Sequence, residues 1–202
     1  MAKSLYLLVS CALLLTYVSL SHARADVEKA IQLFAAERYS EGKALLEQFL
    51  ATHQHDAEAH YYLGRIYLKL QNYDEAARHC KQAVKIQKSN AEHHFCLGLS
   101  YGKQAQQSSP LKKAFLASKI KKSFKKTVEL DPNHVQGRIG LTKFYLQAPA
   151  FMGGDIDKAY EQATILLRLD GIKGRALLEK VRQRKVRASD AEATSEEMLS
   201  DS

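Results

Sequence analysis

Some residue types are scarce in this chain. Its 202 residues include no tryptophan, three prolines and three cysteines. No segment alternates apolar and polar residues as a half-buried strand does, and the few prolines leave long stretches without a helix breaker. Because 46% of the residues are apolar, the chain still has ample material for a helical core. The composition therefore predicts an all-α protein.

Motifs of common enzyme classes are missing as well. The sequence has no serine-centred nucleophile elbow, no paired-carboxylate motif, no cofactor fingerprint and no Cys-x-x-Cys of a dithiol redox catalyst. The pair Gly153-Gly154 lacks the Lys-Ser/Thr and the preceding strand of a phosphate-binding loop. We therefore expect a protein that is not an enzyme and that needs no cofactor.

A 34-residue repeat is the most informative pattern in the chain. The series Ala57, His60, Leu63, Gly64 and Tyr67 returns as Ala91, His94, Leu97, Gly98 and Tyr101. Ala76, Cys80 and Ala83 follow at the spacing of the packed face of a second helix. A period of this length is typical of stacked helical pairs. Such a stack presents a surface to a partner, so the pattern favours binding over chemistry.

These residues resemble the tetratricopeptide repeat, whose pattern contains Leu-Gly, Tyr, Ala, Phe, Ala and a final Pro. The resemblance implies a right-handed solenoid of about four α-hairpins, the first of them degenerate, with a C-terminal capping helix. The expected repeats cover 26–56, 57–90, 91–134 and 135–170, followed by the capping helix over 171–188 and a tail over 189–202. The chain also resembles bacterial secreted and periplasmic repeat proteins.

The first 25 residues have the features of a secretory signal peptide. Lys3 precedes an apolar run over 5–20, and Ala23-Arg24-Ala25 gives a small-x-small cleavage site. We expect cleavage near Ala25, a mature chain without a membrane span, and a periplasmic or secreted location. Two alternatives stay open, namely lipidation at Cys11 and retention of the apolar run as an uncleaved anchor.

Charge is distributed unevenly along the chain. The formal net charge is +8, whereas the last 14 residues contain five acidic residues and no basic residue. A polar, acidic segment without a core pattern predicts a disordered tail over 189–202.

Two insertions lengthen the turns inside the third and fourth repeats. Ten residues are added after Tyr101 and five after Tyr145. Both additions fall at the same edge of a stacked solenoid, which indicates a working surface. The second contains Phe151 and Met152, which we expect to tuck under the loop, and two glycines that allow a tight reversal before Asp155, a candidate helix cap.

The first insertion predicts a long basic helix that begins at Ser109-Pro110 and extends to about Glu129. The apolar residues expected to turn inward are Leu111, Phe115, Ile120 and Phe124. The lysines, which have no acidic neighbour before Glu129, form what we call the basic ridge: Lys112, Lys113, Lys119, Lys121, Lys122, Lys125 and Lys126. The basic ridge is either a site for an acidic partner, an anionic envelope surface or another polyanion, or simply a solvated helix face. Nucleic acid is not expected, because the ridge lacks interleaved exposed aromatic residues.

In the tetratricopeptide repeat family, set positions of each first helix line a concave groove. The resemblance assigns to that groove Tyr61, Arg65, Leu68, Lys69, Phe95, Leu99, Lys103, Ile139, Lys143 and Leu146. Apolar anchors mixed with cations suit a protein or peptide with apolar side chains and carboxylates. Arg65 and Lys69, one helical turn apart, are expected to clamp one carboxylate. The alternative is that the apolar residues pack on neighbouring repeats and leave no open groove.

Two cysteines follow the predicted cleavage site. Cys80 and Cys96 are expected on helix faces that turn toward each other. In an oxidising compartment they can form a disulfide, and the alternative is a pair of buried thiols.

Histidines are dense near these cysteines. His60, His79, His93 and His94, together with the sulfur ligands, suit zinc or copper, so a metal-binding protein is an alternative. However, His60 and His94 take core positions of the repeat, and the others match no familiar ligand spacing. We therefore expect core or surface histidines and no metal site.

Overall fold

The computed structural model describes residues 24–200, with side chains described through residue 190 and at residue 193. Within this range the chain forms nine α-helices, one short 3-10 helix and no strand. The helices are arranged as consecutive packed hairpins, so the predicted all-α solenoid is confirmed. The chain divides into two compact units, one up to Lys88 and one from Ser89 onward.

Four helices form the first unit. They are α1 over 24–35, α2 over Tyr39–Thr52, α3 over Ala57–Lys69 and α4 over Tyr73–Ile86. The turns after α1 and α3 each place one residue in the left-handed region, Glu37 at φ 58° and Gln71 at φ 60°. These two residues are 34 positions apart. The degenerate first repeat therefore ends its first helix in the same way as the second repeat does.

The core of the first unit is built from the periodic positions. Leu46, Leu63 and Ile66 are fully buried between α2 and α3, and Val27 and Ala30 of α1 complete the cluster. The Leu-Gly pair lies where α3 meets α4. A Cβ at Gly64 would lie 2.6 Å from Cys80 Sγ, so only glycine permits this approach of the two helices.

Five helices form the second unit. They are α5 over Ala91–Gln106, α6 over Pro110–Leu130, α7 over Val135–Gln147, α8 over Ile156–Leu169 and α9 over Gly171–Ser200, with the 3-10 helix Ala150–Met152 between α7 and α8. Neighbouring helices pack in order, and α7 also contacts α5 and α9. The core includes Ile120, Phe124, Leu141, Leu166 and Val181.

The two insertions have different structures. The first lengthens α5 and α6, and α6 begins at Pro110 as the sequence predicts. The second forms a tight reversal, in which Gly153 has φ 94° and a Cβ at Gly154 would lie 1.7 Å from Ala148 O. Asp155 caps α8 by accepting a hydrogen bond from Lys158 N at 3.0 Å. The predicted cap and the need for glycine are therefore both confirmed.

Two apolar residues of α6 do not turn inward. Ile120 and Phe124 are buried, but Leu111 is 84% exposed and Phe115 is 65% exposed. The expectation was wrong because five residues separate Phe115 from Ile120, which places the two side chains on different faces of a helix. Leu116 and Ala117 occupy the buried face instead.

The C-terminal helix differs from its predicted bounds. The sequence indicated a helix over 171–188 and a disordered tail over 189–202, whereas α9 continues to Ser200. The segment contains no glycine or proline after Gly174, so nothing in it stops the helix. Gly174 allows close packing of α9 on α8, because a Cβ there would lie 2.2 Å from Leu167 Cα. From Arg182 to Asp190 no side chain of α9 is buried.

The predicted signal peptide lies almost entirely outside the described residues, since residues 1–23 are not described. Across the helices that are described, none combines the length and the apolar character that a membrane crossing requires.

Candidate functional site

A cavity of about 590 Å³ opens in the second unit. It lies among α5, α6 and α7, and the 3-10 helix of the second insertion adds part of its wall. Its position follows from the two insertions, since the lengthened start of α6 and the reversal after α7 both border it. Residues of both insertions therefore border the cavity, and a working surface at this edge stays a prediction.

Apolar side chains form the floor of the cavity. Phe95 of α5 packs on Phe124 with ring centroids 6.0 Å apart, and on the ring of His134 at 5.1 Å. Leu99 and Ile139 are half-buried beside it, so part of each side chain faces the cavity. These contacts hold Phe95 in place while leaving apolar surface for a ligand to cover.

Three lysines surround this floor. Lys103 comes from α5, Lys113 from the inserted part of α6, and Lys143 from α7. The other polar side chains that line the cavity are glutamines, and no carboxylate of the described residues is among them. Within residues 24–190, none of these three lysines forms an ion pair. The cavity therefore combines an apolar floor with uncompensated positive charge, which favours an anionic ligand.

Glycine keeps the cavity open. A Cβ added at Gly102 would meet no atom within 4 Å, so the space in front of this residue is empty. At Gly140 an added Cβ would lie 2.7 Å from the Phe124 ring, which shows how closely α7 approaches α6 there. Gly102 thus leaves space in the cavity, and Gly140 allows α7 to pack closely on α6.

Five of the predicted groove residues come together in this cavity. They are Phe95, Leu99, Lys103, Ile139 and Lys143. Leu146 does not line it and packs against the core of the second unit. The sequence assigned Lys113 to the basic ridge and gave no role to Gly102, because the family positions concern only the first helix of each repeat. The positive charge of Lys113 in an inserted turn was the available signal.

Comparison with known proteins agrees with this architecture. Residues 27–91 match the family model for the tetratricopeptide repeat. This matched segment belongs to the tetratricopeptide repeat family. A comparison with curated proteins gave no significant match.

Solved structures show the same fold at low sequence identity. A thermophilic tetratricopeptide repeat protein of Thermus thermophilus is 22% identical, with a TM-score of 0.64, covering 88% of this chain and 90% of that one. MamA from Desulfovibrio magneticus is 20% identical, with a TM-score of 0.61 over 73% and 75% of the two chains. The second repeat domain of human RPAP3, in complex with an HSP70 peptide, is 20% identical, with a TM-score of 0.53 over 60% of this chain and 93% of the domain.

The two predicted groove cations of the first unit, Arg65 and Lys69, lie beside aromatic rings. Arg65 lies over three rings, with its guanidinium carbon 4.4 Å from the centroid of Phe34, 5.3 Å from Tyr61 and 5.5 Å from Tyr62. Such cation–π contacts stabilise a half-buried guanidinium without a carboxylate. The sequence pattern did not predict these ring contacts, because it gives no distance between side chains of neighbouring repeats.

Lys69 is also placed beside an aromatic ring, with Nζ 5.7 Å from the centroid of Tyr39. Leu68 packs against the core of the first unit. The carboxylate clamp by Arg65 and Lys69 stays a prediction.

A second, more polar cavity of about 800 Å³ lies in the first unit, among α2, α3 and α4. Two of its lining residues are hydrogen-bonded to each other, with His60 Nδ1 2.9 Å from His79 Nδ1. His60 Nε2 lies 3.0 Å from Gln54 O, and His79 stacks on Tyr67 with centroids 5.6 Å apart. Burial and the nearby charge of Arg78 lower the pKa of His79 to about 4. Both rings are therefore neutral near pH 7.

The metal alternative gains no support in the region that the structure describes. No group of three or more His, Cys, Asp or Glu side chains is placed there to hold a metal ion. The pair His60 and His79 supplies two nitrogens that already bond each other, whereas a structural zinc needs four ligands. Cys80 is buried in the first unit and Cys96 in the second, and the disulfide between them stays a prediction.

The basic ridge is not uniform. Lys125 and Lys126 pair with Glu129 at 3.8 and 3.4 Å, and Lys121 lies across Gly153 of the second insertion. The ridge residues Lys112 and Lys122 are exposed, and Lys119 is half-buried. Near them, the second insertion behaves only partly as predicted, because Met152 packs on the core but Phe151 is 83% exposed.

Proposed function

We propose that this tetratricopeptide repeat protein is a non-catalytic scaffold that binds a segment of another protein in the cavity of its second unit. The segment would place apolar side chains on Phe95, Leu99 and Ile139, and carboxylates near Lys103 and Lys143. The mechanism is rigid presentation, since each of these side chains projects from a helix held by the core.

One observation carries the proposal. The cavity has an apolar floor and three lysines, and no carboxylate of the described residues lines it. A neutral apolar ligand would leave the lysines without a partner, and a purely acidic ligand would leave the apolar floor uncovered. A peptide that carries both kinds of side chain satisfies both requirements.

Two structurally similar proteins support this class of ligand. The second repeat domain of human RPAP3 is in complex with the HSP70 peptide SGPTIEEVD, and a first repeat domain of RPAP3 is bound to the HSP90 peptide SRMEEVD. Both peptides combine carboxylates with an apolar residue. Because the sequence identities are 20% and 18%, these domains indicate only the kind of ligand that the fold can hold.

The location of the protein is part of the proposal. A signal peptide over residues 1–25 would deliver the scaffold to the periplasm or the exterior of a bacterial cell, and its partner would then be an envelope or exported protein.

The test begins with a displayed peptide library selected on the chain from Asp26. Selected peptides, labelled with a fluorophore, are titrated with Lys103→Glu/Lys143→Glu and with the control Lys180→Glu/Arg184→Glu, which makes the same charge change on the exposed part of α9. We expect acidic-apolar peptides whose affinity falls at least about tenfold with the cavity variant only. A selection without enrichment, or equal losses in both variants, would contradict the proposal.

A second pair of variants tests the cavity by volume rather than by charge. Gly102→Ala adds one methyl group in empty space, and Gly102→Trp fills the same space. We expect the alanine variant to bind selected peptides normally and the tryptophan variant to lose binding, while thermal melting shows that both are folded. Unchanged binding by Gly102→Trp would place the peptide elsewhere.

A further inference from the structure

The first turns of α6 expose an unusual combination of side chains. Leu111 is 84% exposed and Phe115 is 65% exposed, although both are large and apolar. Their separation of four residues places them next to each other on one face of the helix. The opposite face is occupied by Ala117, Ile120 and Phe124, which are buried. The exposed apolar pair therefore has no place in the core that α6 completes.

Lysines continue the same face. Lys119 and Lys122 follow Phe115 at four and seven residues, so they lie on the stripe that Leu111 begins. Lys119 Nζ lies 4.0 Å from the centroid of the Phe115 ring. No carboxylate of α6 precedes Glu129, and that residue pairs with Lys125 and Lys126. We call the residues Leu111, Phe115, Lys119 and Lys122 the α6 stripe.

We propose that the α6 stripe is a docking surface for a bilayer that contains anionic lipid. Leu111 and Phe115 enter the interface between headgroups and acyl chains, and Lys119 and Lys122 bind lipid phosphates. Docking of this kind is peripheral.

The chemistry of the stripe selects lipid over other polyanions. A polyphosphate or an acidic peptide would pair with the lysines but leave Leu111 and Phe115 in water. A bilayer interface supplies both an apolar medium and negative charge. The convex face of a helix can also enter a deformable surface without a preformed pocket. The α6 stripe therefore differs in kind from the cavity in the same unit, where apolar residues line a concave space.

The proposal does not depend on peptide binding in the cavity. Of the lysines on α6, only Lys113 lines the cavity, and it is not part of the stripe. Variants of the stripe can therefore be tested for retained peptide binding, and variants of the cavity for retained lipid binding.

The absence of tryptophan provides a clean measurement. The variant Phe115→Trp places a single indole at the stripe, and Ile172→Trp places one at a more exposed apolar position of α9, where Ile172 is 86% exposed. Both are made in the chain from Asp26, since the apolar run over 5–20 could itself bind lipid and both hydrophobic cores begin after it. The probes are vesicles of phosphatidylcholine with phosphatidylglycerol in equal parts, and vesicles of phosphatidylcholine alone.

We expect the emission of Phe115→Trp to move to shorter wavelength with the anionic vesicles only, and the emission of Ile172→Trp to stay unchanged. Adding Lys119→Glu/Lys122→Glu to Phe115→Trp should weaken vesicle binding at least about tenfold, and Lys180→Glu/Arg184→Glu should change it much less. Circular dichroism confirms folding of each variant.

Three results would overturn the proposal: no emission change with anionic vesicles, an equal change at position 172, or binding that is indifferent to reversal of Lys119 and Lys122. Binding that disappears for the charge reversal but persists without any emission change would assign the surface to a polyanion that leaves Phe115 in water.

Discussion

The first helix of the second repeat, α3, has 13 residues, and its counterpart one repeat later, α5, has 16. Aligned by the 34-residue period, Arg65 corresponds to Leu99, and Leu68 corresponds to Gly102. In the first unit Arg65 is covered by rings and Leu68 packs on the core. In the second unit Leu99 and Gly102 border an open cavity.

Equivalent positions of two repeats are therefore packed in the first unit and border a cavity in the second. Where the first of these repeats has Leu68, the next has Gly102, so no side chain fills the corresponding space in the second unit. The ten inserted residues then extend α6 beside the vacated space and bring Lys113 to it. The cavity of the second unit therefore results from both the different residues at equivalent positions and the insertion at the turn.

The largest expected effects come from matched truncations in the two cores. Leu63 in the first unit and Leu166 in the second are both fully buried. Leu63→Ala and Leu166→Ala should each lower the free energy of unfolding by about 3 kcal/mol. Hydrogen exchange should locate the first loss in α3 and α4 and the second in α8 and α9. Exchange that rises equally over 24–200 in both variants would show that the units unfold together.

A pH dependence of similar size is expected from His79 of the first unit. His79 has a pKa of about 4 when folded, against 6.5 as its ordinary value, because it is buried beside His60 and Arg78, with Glu75 as the nearest carboxylate. The unfolded state therefore binds the proton first as pH falls. The contribution of His79 to the free energy of unfolding is fully present above pH 6.5. As the pH falls from 6.5 to 4, this contribution decreases by about 3 kcal/mol.

Denaturant unfolding followed at a series of pH values measures this loss. The control is His79→Phe, which keeps a ring to stack on Tyr67 but cannot be protonated. The variant should show a weaker decline over the same interval, and an identical decline in both proteins would assign the pH dependence to other groups.

A smaller loss is expected from a methyl group at the packed glycine of the first unit. In Gly64→Ala the new Cβ would lie 2.6 Å from Cys80 Sγ and 3.1 Å from Cys80 N, so α3 and α4 must move apart. We expect a net loss of about 1–2 kcal/mol, since overpacking outweighs the better helix propensity of alanine. Thermal melting measures this loss of stability. A variant more stable than the unchanged protein would mean that α3 and α4 move apart at little cost in free energy.

The smallest expected effect has the opposite sign. Gly102→Ala adds its methyl group to empty space within α5, so only the helix propensity changes. The free energy of unfolding should rise by about 0.5–1 kcal/mol. A loss of stability in this variant would show that the cavity is narrower than the structure indicates.

Most of the fold could be predicted from the sequence because the repeat is local and periodic. The positions of Leu63, Gly64 and Tyr67 recur after 34 residues, and all three of these residues are buried in the hairpin of α3 and α4. Leu97 and Gly98 are buried one repeat later, and Tyr101 is half-buried there. The start of α6 at Pro110 and the cap at Asp155 follow from single residues with strong positional preferences. Such features need no knowledge of distant parts of the chain.

The remaining features depend on contacts between distant residues. The ring of Phe34, from the preceding repeat, lies over Arg65, and the sequence pattern of one repeat does not predict this contact. Leu111 and Phe115 were expected in the core because they are apolar, yet helix geometry places them opposite the buried face. The cavity itself depends on the empty space at Gly102, and the order of residue types along a sequence does not predict where such a space lies.

Exposure of α9 after Val181 has a practical consequence for handling the protein. Arg182, Arg184 and Arg187 offer cleavage sites to trypsin in a stretch without a buried side chain, so local unwinding there costs little. Brief digestion should therefore first yield a shortened chain that ends in this stretch and keeps both cores. The position of that cut, read from a mass spectrum, would mark where α9 loses its apolar support, since this stretch meets α8 through the exposed ion pair of Lys185 with Asp157 at 2.7 Å.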